Sequence, residues 1–162
     1  MINLYFDMDG VLAKWDTNDS TEDTFQKGYF LNREPDYLMI DLVLDMVKQP
    51  NINVSILSAV YDNGYALDEK KQWLIDNGLQ NIPLINTPIG HDKAESVDQT
   101  VQSFLIDDYS KNLHRWESHT NFRGIKYFNG INGNNGSWLG DSLNSSMSLE
   151  DAKNTLLQFL GI

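Results

Sequence analysis

Short apolar runs alternate with helical patterns along this chain, and that alternation leaves few folds open. Apolar runs of strand length occupy residues 2–6, 53–59, 82–86, 103–106 and 124–128. Between them, residues 36–48, 66–77 and 110–119 carry apolar side chains at helical spacing, and residues 94–101 show a weaker version of it. Pro35 suits the first turn of one helix, Gly78 stops another, and Ser148 with Asp151 caps a final one. Strands alternating with helices predict an α/β domain spanning residues 1–162, a parallel sheet with helices on both faces and its last strand at 124–128.

The ends of these runs carry the chemistry. Asp7 and Asp9 close the first, Ser58 the second, Asp107 and Asp108 the fourth, and Lys93 follows the third. In an open parallel sheet the strand carboxyl ends share one edge, where ligands bind, so groups far apart in sequence converge there. Carboxylates gathered at one point repel unless a cation joins them, and an all-oxygen cluster favours Mg²⁺ over softer metals. A hydroxyl and an ammonium beside that metal describe a pocket for a phosphate. Rival readings of Asp7 and Asp9 explain less. An EF-hand loop fails because Gly10 directly follows Asp9 and Val11 stands where a ligand belongs. A nucleotide-sugar transferase would use the two aspartates but leaves Lys93, Asp107 and Asp108 without a role.

Charge narrows the partners. A net charge of -11 and a pI near 4.4 argue against nucleic-acid polymers and anionic membrane surfaces, both of which need basic patches. Cysteine is absent, which removes disulfides, thiolate metal sites and cysteine nucleophiles. The first residues lack a basic region and a long apolar run, and no stretch approaches the roughly 18 to 20 apolar residues of a membrane span. The expectation is a soluble cytoplasmic protein.

DMDGV at 7–11, the strand ending at Ser58, Lys93 and the strand ending in Asp107 and Asp108 match, in order, four motifs of a known family. The chain resembles the haloacid dehalogenase superfamily of phosphohydrolases. Within it, DMDGVLA, GYFLNREP, ILSA and FLIDDY are similar to the pyrimidine 5'(3')-deoxyribonucleotidases, over a stretch ending near Trp116. The resemblance implies a Rossmann-like core and a phosphoaspartyl mechanism. Asp7 would be the nucleophile and Asp9 the general acid and base, its backbone carbonyl also ligating Mg²⁺. Asp7, Asp107 and Asp108 would complete the metal site, while Ser58 and Lys93 would hold the phosphoryl group. Ala59 stands where the family has a second hydroxyl, so one phosphate or sugar contact would be either missing or supplied by backbone. The implied partner is a nucleoside monophosphate, and the expected protein assembly, if any, is a homodimer.

Where the resembling enzymes insert a helical cap of several dozen residues, this chain offers an acidic stretch at 16–27 within a flap at about 16–30. That is a vestigial cap. Trp15 aligns with an aromatic that stacks on the base; its plainer reading is a flap residue packed on the core. Tyr29 and Phe30 carry the same two readings. Arg33 is expected to pair with Glu34 or Asp36, the three histidines to lie on the surface, and Lys70 and Lys71 to form a solvated helix face. The Gly- and Asn-rich loop at 129–138 is long for a connection and reads as a lid substituting for the cap. Two rival functions share the fold: a phosphatase of another small metabolite such as a sugar phosphate, and a non-catalytic nucleotide-binding regulatory domain.

Overall fold

Six strands form one sheet in which every neighbouring pair runs parallel, in the computed structural model, which describes residues 1–62, 64–134 and 136–162. They are β1 (Ile2–Phe6), β2 (Ile52–Val60), β3 (Leu84–Pro88), β4 (Ser103–Asp107), β5 (Phe122–Phe128) and β6 (Ser142–Asn144). Their order is β3-β2-β1-β4-β5-β6, that of a doubly wound, Rossmann-like sheet. β1 and β4 are the central neighbours, and the winding reverses between them. Ligand crevices open at such a reversal.

Helices α1 (Tyr37–Met46), α2 (Ala66–Asp76), α3 (Ser110–Trp116) and α4 (Leu149–Leu160) connect or flank the strands. The alternation of side chains along each strand sorts the core into two layers. Leu4, Phe6, Ile56, Phe104 and Ile106 point to one face, where Met39, Val43 and Met46 of α1, Trp73 and Leu74 of α2, and Leu156 and Leu160 of α4 cover them. Tyr5, Leu57 and Leu105 point to the other face and meet Leu113 and Trp116 of α3, with Phe122 and Trp138. Truncating a fully buried leucine such as Leu156 to Ala would cost about 2–5 kcal/mol. Among the described residues no helix is long and apolar enough to cross a membrane.

The cap at Ser148 forms where the sequence places it, whereas Pro35 lies ahead of the α1 cap, Asp36, and not in the first turn. The Asp36 carboxylate accepts from the Met39 N–H and starts α1, and the Ser148 hydroxyl accepts from the Asp151 N–H and starts α4. Two further expectations fail locally. A sixth strand, β6, extends the sheet past β5, because the backbone leaving the Asn-rich loop pairs with it at Lys126, Tyr127 and Phe128. The spacing at 94–101 yields only a 3-10 turn, Lys93–Ser96, too short to cover a strand. The loop at 129–138 splits into a half that meets the strand ends and a half anchored in the core by Trp138; Asn135 lies outside the described residues.

Candidate active site

Register brings the acids together. Phe6 is level with Ile106 across the central strands, and the Asp7 N–H continues the ladder by donating to the Ile106 carbonyl at 2.9 Å. Asp7 therefore emerges beside Asp107 and Asp108. The turn that follows is tight, with the Met8 carbonyl accepting from the N–H groups of Val11, Leu12 and Ala13. Gly10 has φ +83°, and a Cβ there would fall on the Asp108 carboxylate. Only glycine lets the two motifs approach this closely.

Asp7, Asp107 and Asp108 are all buried, and each offers a carboxylate oxygen within 4.8 Å of the others. Lys93, itself buried, bridges two of them: its ammonium lies 2.8 Å from Asp7 Oδ1 and 2.7 Å from Asp107 Oδ2. The Met8 N–H donates to Asp7 Oδ1 at 2.8 Å, the Tyr109 N–H to Asp107 Oδ1 at 2.8 Å, and Asn112 Nδ2 to Asp107 Oδ2 at 3.0 Å. Asn132, from the Asn-rich loop, donates to Asp108 Oδ2 at 2.6 Å. Lys126 is buried beneath, donating to the Asp108 carbonyl at 2.5 Å and to Ser110 Oγ at 3.0 Å.

The charges here are held at a cost. Burial, then repulsion from Asp107, pushes the Asp108 carboxyl up to about 7. Burial raises Asp7 well above the usual carboxylate range, with Lys93 opposing and Asp107 and Asp108 reinforcing. For Lys93 burial works against the charge, but Asp107 and Asp7 outweigh it and hold the ammonium above its ordinary range. Asp7 and Asp108, raised by burial and by repulsion from neighbouring acids, lie with Asp107 in a cluster of hard oxygen donors that fits a divalent alkaline-earth cation. Asp9 stands apart from this trio, so its carboxylate is not one of the clustered ligands.

Asp9 is instead engaged by Lys70. That side chain was expected on a solvated face and is fully buried, because residue 70 falls on the stripe that α2 turns inward with Ala66, Trp73 and Leu74; Lys71 is exposed. The Lys70 ammonium donates to Asp9 Oδ2 at 2.5 Å, Ser58 Oγ at 2.8 Å and the Ala59 carbonyl at 2.9 Å. Its i+3 and i+4 relation to the apolar anchors was the signal in the sequence. Ser58 is fully buried with its hydroxyl against Lys70, and at that strand end it is Ala59 that meets the cleft.

A cleft of about 350 Å³ opens over the acids, bounded at its base by Asp7, Asp9, Lys70, Lys93 and Asp108. Trp15, Tyr29, Phe30 and Tyr61 give it an aromatic wall, and Tyr109 and Asn132 also line it. Tyr29 and Phe30 meet edge to face at 4.9 Å, and the Lys70 ammonium lies 4.6 Å from the Phe30 ring centre. Arg33 pairs with Asp19 at 2.5 Å and lies over the Tyr29 ring at 4.2 Å. It does not pair with Glu34 or Asp36: Glu34 takes Lys14, and Asp36 takes the Tyr127 hydroxyl. His91 and His114 are exposed and His119 half-buried, away from the acids.

Compared with protein-family models and with curated proteins, this chain matches none. Its functional reading rests on residue chemistry and on this geometry.

Proposed function

We propose that this protein is a metal-dependent phosphomonoesterase of the haloacid dehalogenase type, acting on nucleoside monophosphates through an aspartyl-phosphate intermediate. The observation that carries this reading is the buried trio Asp7, Asp107 and Asp108, bridged by Lys93 at the floor of an aromatic-walled cleft. Mg²⁺, held by these carboxylates and the Asp9 carbonyl, would offset the charge of the phosphoryl oxygens. The short flap at about 16–30 serves as a vestigial cap, and Trp15, Tyr29 and Phe30 take the base.

In this mechanism the Asp7 carboxylate forms a bond to phosphorus as the ester P–O bond breaks, and Asp9 gives its proton to the departing alkoxide. Water then attacks the aspartyl phosphate, passing a proton to Asp9, and the bond between Asp7 and phosphorus breaks to release phosphate. Lys93 orients the nucleophile by holding Asp7 Oδ1. Lys70 has two tasks. It holds Asp9 Oδ2 at the floor of the cleft, and its ammonium offers positive charge to an incoming phosphoryl oxygen.

The test is phosphate release with Mg²⁺ from an aryl phosphate and from a panel of 5' and 3' mononucleotides, beside Asp7→Asn and an EDTA control. Metal-dependent release that Asp7→Asn abolishes, fastest on nucleotides, is the expected result. Best kcat/KM on sugar phosphates would move the substrate class. Nucleotide binding without release would make the protein a regulatory domain.

A further inference from the structure

Among the described residues two buried carboxylates lie outside the floor: Asp36, which caps α1 and takes the Tyr127 hydroxyl, and Glu69, which no role so far explains. Glu69 precedes Lys70 at the start of α2 and is only 6% exposed, although its neighbours Asp68 and Lys71 face solvent. Its side chain reaches across to the flap. Glu69 Oε1 accepts from the Gly28 N–H at 2.5 Å, and Oε2 accepts from the Phe30 N–H at 3.2 Å. These amides flank Tyr29, in a turn opened by Gly28 at φ +90°. A carboxylate that takes two backbone N–H groups fixes the local chain direction as a helix cap does, and charge-assisted bonds of this kind are the stronger ones. The helix position alone would not bury Glu69, since acids in a first turn are favoured at the surface too.

We infer that Glu69 is a positioning residue for recognition: by clamping the amides of Gly28 and Phe30, it sets the aromatic wall at a fixed distance from the phosphate end of the cleft. The adjacent residue supplies the other end of the measure. Lys70 bonds Asp9 at the floor, while Glu69 bonds the turn that carries Tyr29 and Phe30, so one helical start spans both ends. The ligand class this favours is a phosphate ester carrying a flat aromatic group. Esters without one, such as glycerol phosphate, reach the floor but gain nothing from the wall. This inference rests on the nucleotide-phosphatase reading for the ligand's phosphate end, and on the clamp geometry for the rest.

Glu69→Ala removes both acceptors, whereas Glu69→Gln keeps one oxygen able to accept a single N–H. In Glu69→Ala, KM for a nucleoside monophosphate should rise about tenfold, the range expected when stacking on one base is lost, with kcat changed less than about threefold. Kinetics on glycerol phosphate should stay within about twofold, and Glu69→Gln should fall between wild type and Glu69→Ala. Equal losses on both substrates, or none on the nucleotide, would overturn the inference and assign Glu69 a purely structural role. Nucleotide binding is read separately from quenching of tryptophan fluorescence. If wild type binds nucleotide without releasing phosphate and Glu69→Ala loses that binding, the hydrolase reading fails and the clamp stands. If wild type does not bind nucleotide at all, the clamp has no recognition role.

Discussion

The floor of the cleft and its aromatic wall are built to different standards. Asp7, Asp107 and Lys93 leave the two central strands or pack against their ends, are buried, and are each held by two or more partners. The wall hangs on the flap, where Phe25 and Leu31 are exposed and the chain is tied back by the Arg33–Asp19 pair and the Glu69 clamp. Redundant contacts hold reacting groups to the fraction of an ångström that chemistry needs. Tyr29 and Phe30 are buried in a cluster of their own with Val60 and Ala66, apart from the acids, so under the proposed hydrolase reading substrate preference can change without disturbing the reacting groups.

Substitutions can break that separation if it is false. Asp7→Asn should lower turnover by about three orders of magnitude or more while leaving nucleotide binding measurable by fluorescence. Loss of binding as well would show that floor and wall act as one unit. Lys70→Met should lower kcat on the order of a hundredfold, the usual effect of deleting one group that stabilises developing charge, and Lys71→Met, on the exposed face, should change neither kcat nor KM.

The floor also makes a pH prediction that the wall does not. Asp108 titrates near 7 in the folded chain and near 4 in an unfolded one. Between those values the folded form binds more protons, so the metal-free protein should lose stability as pH rises from about 4 to about 7 and level off above it. Asp7, shifted in the same direction, adds to the slope. Thermal melts in EDTA against pH, repeated with Mg²⁺, check this: an ion held by the folded trio alone should restore several degrees at pH 8. Asp108→Asn should flatten the EDTA profile and abolish the response to Mg²⁺. The smallest effect belongs to the wall. Trp15→Ala should raise KM for nucleotides about tenfold, with kcat and the glycerol phosphate kinetics nearly unchanged.

How legible each part was follows from how local its causes are. The acids at strand ends could be read because an apolar run ending in Asp names both the element and its position, and parallel topology gathers all such ends on one edge. β6 has no signal in the sequence because three residues, Ser142 to Asn144, carry no periodicity of their own and become a strand only by pairing with β5. Lys70 was misread by its charge. Its helical spacing placed it on the inward stripe, but a lysine is buried only when partners await it, and those partners, Asp9 and Ser58, come from two other strand ends. Arg33 found Asp19 rather than its sequence neighbours because the flap folds back over Tyr29.

By itself the sequence determined the α/β alternation, the two layers of the core and the identity of the acids, since side-chain periodicity and capping act over a few residues. Tertiary structure alone decided which cation meets which acid, and that Glu69 reaches the flap. Those choices depend on register and on how α2 rotates against the sheet, and neither is written in any short stretch of chain.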